Sequence, residues 1–234
     1  MGIVAMKEGY LTFVNQLAPV IEKYPDFEVA SENGKKYLKG NLAIIDDAGK
    51  NWGTFQVEIR NKEGFPYRFP KVFETSERIP KIADWHIYKD GSCCIDVLPS
   101  EIIKCRDGIT IVGFIENELT PYLFNQTYRM EEGFYVNSGY AHGLMGIYEF
   151  FSSKLETGND IRKTLFLMNY IATKPRLNRS NKCFCGSNEL FRKCHMKAYD
   201  ELNKLDKSFL LDQIELIYHR SGLKTKNQLR KNFT

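Results

Sequence analysis

Residues 52–60 read Trp-Gly-Thr-Phe-Gln-Val-Glu-Ile-Arg. Phe55, Val57 and Ile59 alternate there with Gln56, Glu58 and Arg60, the pattern of a strand with one buried face. Two strand-like runs precede it, 27–31 and 37–45, and the turn signals Asn33-Gly34 and Asp46-Asp47-Ala48-Gly49 separate the three. Short turns between such runs predict an antiparallel meander. Upstream, Leu11, Val14, Leu17, Ala18 and Ile21 recur at helical spacing, so a first amphipathic helix is expected over 7–24, stopped by Pro25. Downstream, the two prolines of Gly64-Phe65-Pro66-Tyr67-Arg68-Phe69-Pro70 exclude a regular helix or central strand, and a short fourth strand follows at 71–74. The class expected is α+β.

Residues 78–106 show little periodicity but carry Trp85, His86, Gly91, Cys93, Cys94 and Asp96. Loops on a scaffold are where chemistry collects. Helical spacing returns at 109–128, with Pro121 as a kink, and at 143–155 and 159–173, the last capped by Asn159 or Thr157. A linker is expected at 173–182, a final helix at 204–219, and a basic, mobile tail at 221–234.

With 43% hydrophobic and 26% charged residues in 234, the composition is that of a folded chain large enough to bury a core without disulfides. The 33 basic and 29 acidic residues are unevenly placed: residues 174–234 hold 14 basic and 6 acidic, which leaves the rest of the chain net acidic. The longest apolar run, 165–172, is far short of the roughly 18 residues of a membrane span and contains Asn169. Lys7, Glu8, Asn15 and Gln16 interrupt any secretory pattern, so a reducing, cytoplasmic compartment is expected. There, six cysteines point to metal binding or catalysis rather than to a disulfide framework.

Three of those cysteines lie close together, with a histidine beside them. Cys183, Cys185, Cys194 and His195 form C-x-C-x8-C-H, a set of thiolate and imidazole donors that suits tetrahedral Zn²⁺. Gly186 and Ser187 permit the tight turn after the first pair. Four protein ligands leave no open position, so the zinc is expected to be structural. The stretch NRSNKCFCGSNELFRKCH resembles the SEC-C motif, the small zinc module found at the C-terminus of the SecA translocase motor and on many unrelated bacterial proteins. That resemblance implies a protein-docking module.

The remaining cysteines are read against the loop that holds them. In Gly91-Ser92-Cys93-Cys94-Ile95-Asp96-Val97-Leu98, Cys94 is a candidate nucleophile, with His86 eight residues upstream. By themselves these two residues also fit a buried thiol. The order of helix, meander, proline-rich crossing, extended loop, cysteine and helix resembles the ubiquitin-conjugating enzyme (UBC) fold, over residues 5–130. The family pattern Tyr-Pro-Phe-x-Pro-Pro-x-Val is matched by Phe65-Pro66-Tyr67-Arg68-Phe69-Pro70-Lys71-Val72, with Phe69 in place of a proline. Its Gly-x-x-Cys-Leu-Asp-Ile-Leu is matched by GSCCIDVL, and the tryptophan usual soon after the cysteine is absent.

This resemblance implies that Cys94 carries an acyl group as a thioester. The family's His-Pro-Asn aligns with Asp84-Trp85-His86, which puts His86 where an asparagine stabilises the oxyanion. The resemblance thus implies either an imidazole N–H donating to that oxyanion or a ring accepting a proton from the incoming amine. A histidine there resembles the bacterial branch of the family, found in operons with ubiquitin-like proteins, activating enzymes or antiphage nucleotidyltransferases. Cys93 is expected to point away from Cys94 and, like Cys105, to be structural. Asp96 reads as a loop hydrogen-bond acceptor, Tyr88 and Asp90 line the loop, and His142 and His219 show no partner pattern.

No G-x-G-x-x-G follows a strand and no P-loop occurs, so a separate activating enzyme is implied. The function expected is a bacterial conjugating-like transferase, moving a ubiquitin-like protein from Cys94 to an amine of a protein target such as a nucleotidyltransferase. The competing expectation is a noncatalytic adaptor with the same fold, docking protein or RNA through the zinc module and basic tail. Nucleic acid is not the favoured partner, because aromatic residues interleave only sparsely with the cations around the cysteine cluster, at Phe184, Phe191 and Tyr199. The organisation expected is a catalytic domain at 1–130, a helical extension and linker at 131–175, the zinc module at 176–200, and a helix with basic tail at 201–234.

Overall fold

Alternating apolar residues are buried on one face of a sheet only if another layer, of helices or of a second sheet, covers that face. The computed structural model, which describes residues 2–136 and 139–221, meets this condition in the first of two compact units. Strands β1 (Phe27–Glu32), β2 (Lys35–Ile45), β3 (Asn51–Arg60) and β4 (Lys71–Glu74) form one antiparallel sheet in the order β1-β2-β3-β4. The register sets Val29 opposite Leu38, Leu42 opposite Phe55 and Ile59 opposite Val72. Leu38, Leu42, Ile44, Phe55, Val57 and Ile59 are buried in one core with helical Phe13, Leu17, Val20, Phe114, Ile115, Leu119 and Leu123. Each such fully buried side chain stabilises the fold by about 1.5–3 kcal/mol.

The turn between β1 and β2 holds Asn33 and Gly34 both at positive φ, the conformation that a two-residue hairpin loop demands. In the next turn the Asp46 carboxylate accepts from the backbone N–H groups of Ala48 and Lys50 and from the Trp52 indole. The Phe65–Pro66 peptide bond in the crossing to β4 is cis.

The single helix expected over 7–24 is two, α1 (Gly2–Asn15) and α2 (Leu17–Lys23). Pro19 has no N–H to bond Asn15, so it is accommodated only in the first turn of a new helix. Gln16, at the break, accepts from the Ile111 N–H with its side chain at 2.7 Å. The helix expected at 109–128 has three parts: α4 (Ile111–Phe114), a π turn (Ile115–Leu119) and α5 (Thr120–Glu132). Thr110 caps α4 by accepting from the Gly113 N–H, and Pro121 enters α5 at its start, where the wider π turn takes up the expected kink.

The second unit comprises 97–103 and the chain from Tyr140 onward. It contains α3 (Leu98–Lys104, whose last residue belongs to the first unit), α6 (Gly143–Lys154), α7 (Ile161–Thr173), α8 (Met196–Leu202) and α9 (Lys207–Arg220). Asp160 caps α7, accepting from the Lys163 N–H at 3.0 Å, rather than Asn159 or Thr157. Thr157 instead shares a buried hydrogen bond with Thr164. The sequence reading missed α8 and began α9 early. Where it placed boundaries near 175 and 200, one core runs through: Phe151, Leu155, Leu167, Met168, Phe191, Tyr199, Leu202, Leu210 and Ile217 pack together. The basic tail expected at 221–234 lies, beyond Ser221, outside the described residues. No helix among the described residues is long and apolar enough to cross a membrane.

Candidate functional site

Two cysteine centres stand out, one in each unit. In the first, residues 86–94 fold back on themselves: Ile87 and Cys93 form an antiparallel bridge, and the Cys94 N–H donates to the His86 carbonyl at 2.7 Å. The Cys93 N–H donates to the Val72 carbonyl at 2.8 Å, which ties this loop to β4. Side chains alternate along an extended segment, so Cys93 enters the core and Cys94 stays half-exposed. Burial pushes the Cys93 thiol up to about 12, leaving it protonated and unreactive at neutral pH. A ring nitrogen of His86 lies within 4.8 Å of the Cys94 Sγ, so the two residues the sequence paired come together.

His86 adopts left-handed backbone geometry, with φ 53° and ψ 41°. For a residue with a Cβ this costs on the order of 1 kcal/mol and needs support from its surroundings. Its ring meets Tyr135 edge-on, with centroids 5.3 Å apart. Asp96 is nearly covered and pairs with Lys104 at 2.8 Å, and Lys104 also reaches Glu118 at 2.7 Å. Burial raises the Glu118 carboxyl against the opposing pull of Lys104. Asp90 pairs with Lys71 and accepts from the Ser92 hydroxyl and N–H; the Lys71 ammonium and then Ser92 hold its carboxyl well below the usual range. Tyr88 is exposed, and Cys105 is buried in the core.

In the second unit, one ligand atom from each of Cys183, Cys185, Cys194 and His195 lies within 4.8 Å of the others. The loop is closed by backbone bonds between Cys183 and Glu189 and between Phe191 and Asn181. Gly186 turns it at φ 80°, a conformation that favours glycine. The His195 Nδ1 stands 2.9 Å from the Cys194 Sγ and 3.4 Å from the Cys183 Sγ, and the sulfurs of Cys185 and Cys194 are 3.5 Å apart. Ligands about 2.0–2.3 Å from a tetrahedral ion sit at nearly these spacings from one another.

The His195 Nε2 is 2.9 Å from the Leu155 carbonyl. That oxygen can only accept, so Nε2 carries the proton and Nδ1 presents its lone pair to the sulfurs, the usual outer support of a ligating imidazole. Burial opposes ionisation of Cys185, but the Ser187 hydroxyl and N–H outweigh it and bring the thiol down to about 6. The cluster therefore fits a metal ion. Among the supporting residues, Ser187 was foreseen only for its turn, and the Leu155 carbonyl has no sequence signal. Comparison with protein-family models, curated proteins and solved structures gave no match to this chain.

Proposed function

We propose that the first unit is a ubiquitin-conjugating-like domain of the UBC type, which accepts the C-terminal acyl group of a ubiquitin-like protein on Cys94 and passes it to an amine of a protein target. The observation that carries this reading is the half-exposed Cys94 thiol held within 4.8 Å of the His86 imidazole, beside a buried, protonated Cys93. In loading, the Cys94 thiolate attacks the donor thioester, its S–C bond forms, and the donor thiol leaves. In transfer, a neutral amine attacks the same carbonyl, and the His86 N–H stabilises the oxyanion. The S–C bond then breaks to return the Cys94 thiolate, and the nitrogen gives up its proton to solvent water.

In the second unit, the same reading assigns a structural zinc of the SEC-C type to Cys183, Cys185, Cys194 and His195. When bound, zinc supplies charge neutralisation for the thiolates and a closed tetrahedral crosslink. The unit then serves as a docking module for a protein target or partner.

The test is intact mass of the full-length protein after incubation with a peptide thioester ending in Gly-Gly. The expected result is one peptide adduct, discharged by free lysine or reductant, lost in Cys94→Ala and kept in Cys93→Ala. If an intact donor leaves Cys94 unmodified, the conjugating reading fails and the noncatalytic adaptor takes its place.

A further inference from the structure

Asp84, Trp85 and His86 present three consecutive backbone carbonyls, and each accepts a hydrogen bond from one face of α5. The Arg129 guanidinium donates to the Asp84 carbonyl and also pairs with the Asp84 carboxylate. The buried Gln126 amide donates to the Trp85 carbonyl at 3.2 Å. The Tyr122 hydroxyl donates to the His86 carbonyl at 3.1 Å, the same oxygen that accepts from the Cys94 N–H. Residues 122, 126 and 129 are spaced by four and three, so they share one stripe of the helix. The stripe and the tripeptide match donor for acceptor.

Two further contacts tighten the arrangement. Arg129 lies over the Trp85 ring at 4.2 Å and donates to the Tyr135 hydroxyl at 2.9 Å. The Tyr135 ring is the one that meets His86 edge-on. Backbone and ring of His86 are thus both approached by groups from α5 and the turn after it. Left-handed geometry at a residue other than glycine persists only where surrounding structure over-determines it.

We infer that Tyr122, Gln126 and Arg129 are positioning residues: together they clamp the 84–86 carbonyls and thereby set the His86 imidazole beside the Cys94 thiol. The catalytic purpose of the clamp rests on the acyl-transfer reading; the clamp itself does not. Removing one donor lets the backbone relax toward ordinary φ, which swings the imidazole away from the sulfur.

The experiment is the pH dependence of Cys94 alkylation by iodoacetamide in the full-length protein, with fragment masses that separate Cys94 from Cys93. In the wild type, an imidazole next to the thiol gives the profile an inflection near neutral pH, and His86→Ala removes it. Tyr122→Phe, Gln126→Leu and Arg129→Ala are expected to reduce the His86-dependent part of the rate by up to about a hundredfold, the order that a displacement of about 1 Å produces. Tyr122→Phe removes only a hydroxyl and keeps the packing, so it serves if Gln126→Leu does not fold.

Folded clamp variants with the wild-type profile overturn the inference, as does a wild type whose profile is unchanged by His86→Ala. Acyl loading is measured on the same samples. A wild type that never loads, while the inflection still responds to the clamp variants, sinks the proposed function and leaves the clamp standing.

Discussion

Cys94 and Cys194 both stand half-buried beside an imidazole, yet the two histidines are fixed by different parts of themselves. His195 is anchored through its ring, with Nε2 on the Leu155 carbonyl and Nδ1 facing sulfur. His86 is anchored through its backbone carbonyl, which accepts from Cys94 and Tyr122. A ring committed at both nitrogens cannot trade protons, which suits a permanent ligand. A residue gripped by its backbone has its ring set in place beside a neighbouring atom, as the His86 ring is beside the Cys94 sulfur. A Cys–His pair is therefore interpreted by what holds the histidine, not by the pair alone.

The largest effect that could break this contrast is removal of the second centre. Chelation, or Cys194→Ala, is expected to abolish cooperative unfolding of the second unit, since structural zinc contributes about 10–16 kcal/mol to small domains. Calorimetry with metal analysis checks this, and retention of both transitions after the metal is stripped would break the assignment. At the first centre, Cys94→Ala is expected to leave the melting temperature nearly unchanged, whereas Cys93→Ala, which empties a core position, costs about 1 kcal/mol by denaturant titration. A reversed order would mean that Cys94, not Cys93, is the packing residue.

Phenylalanines sharpen the comparison further. Phe191 and Phe114 are each fully buried, one beside the Cys3His cluster and one against the sheet. Truncation of either to alanine is expected to cost about 3–5 kcal/mol. Only Phe191→Ala is expected to weaken metal retention as well, because the Phe191 ring packs against Phe184, which stands between Cys183 and Cys185. Competition with a chromogenic chelator reads the difference.

The smallest effect concerns Asp90. Its carboxyl lies below the usual range when folded, so the stability it contributes is present above about pH 4 and is lost as acid protonates it at lower pH. The pair with Lys71 is half-exposed, so Asp90→Asn is expected to cost less than about 1 kcal/mol at pH 7. That gap closes as the pH falls toward 2. Urea titrations of wild type and variant across this range measure it, and a gap that persists in acid would mean that the charge is not its source.

The strands were legible because burial on one face writes a period of two directly into the sequence, as at 55–60. Lys71–Glu74 could be placed because the prolines of 64–70 exclude a regular helix or central strand there and so mark where the next strand begins. The Cys3His cluster was legible for a similar reason: four candidate ligands within thirteen positions, 183–195, leave local spacing to define the geometry. What stayed hidden depends on distant partners. The break at Gln16 is used by Ile111, and the donors of α5 act on backbone carbonyls 36 to 45 positions away, which have no residue signature. The helix 196–202 was missed because its apolar residues serve the same core as the metal loop and were read as part of that loop.

One contact also bears on how the chain is made. The end of α6 leaves its last carbonyls without partners inside the helix, and the Leu155 oxygen meets its partner only at His195, 40 positions later. A ribosome working from the N-terminus delivers the whole sheet long before it delivers that imidazole. The second unit therefore waits on its own ligands: synthesis must pass residue 195 before α6 can be finished off, and a chain cut short of that point carries a helix end that water alone must satisfy.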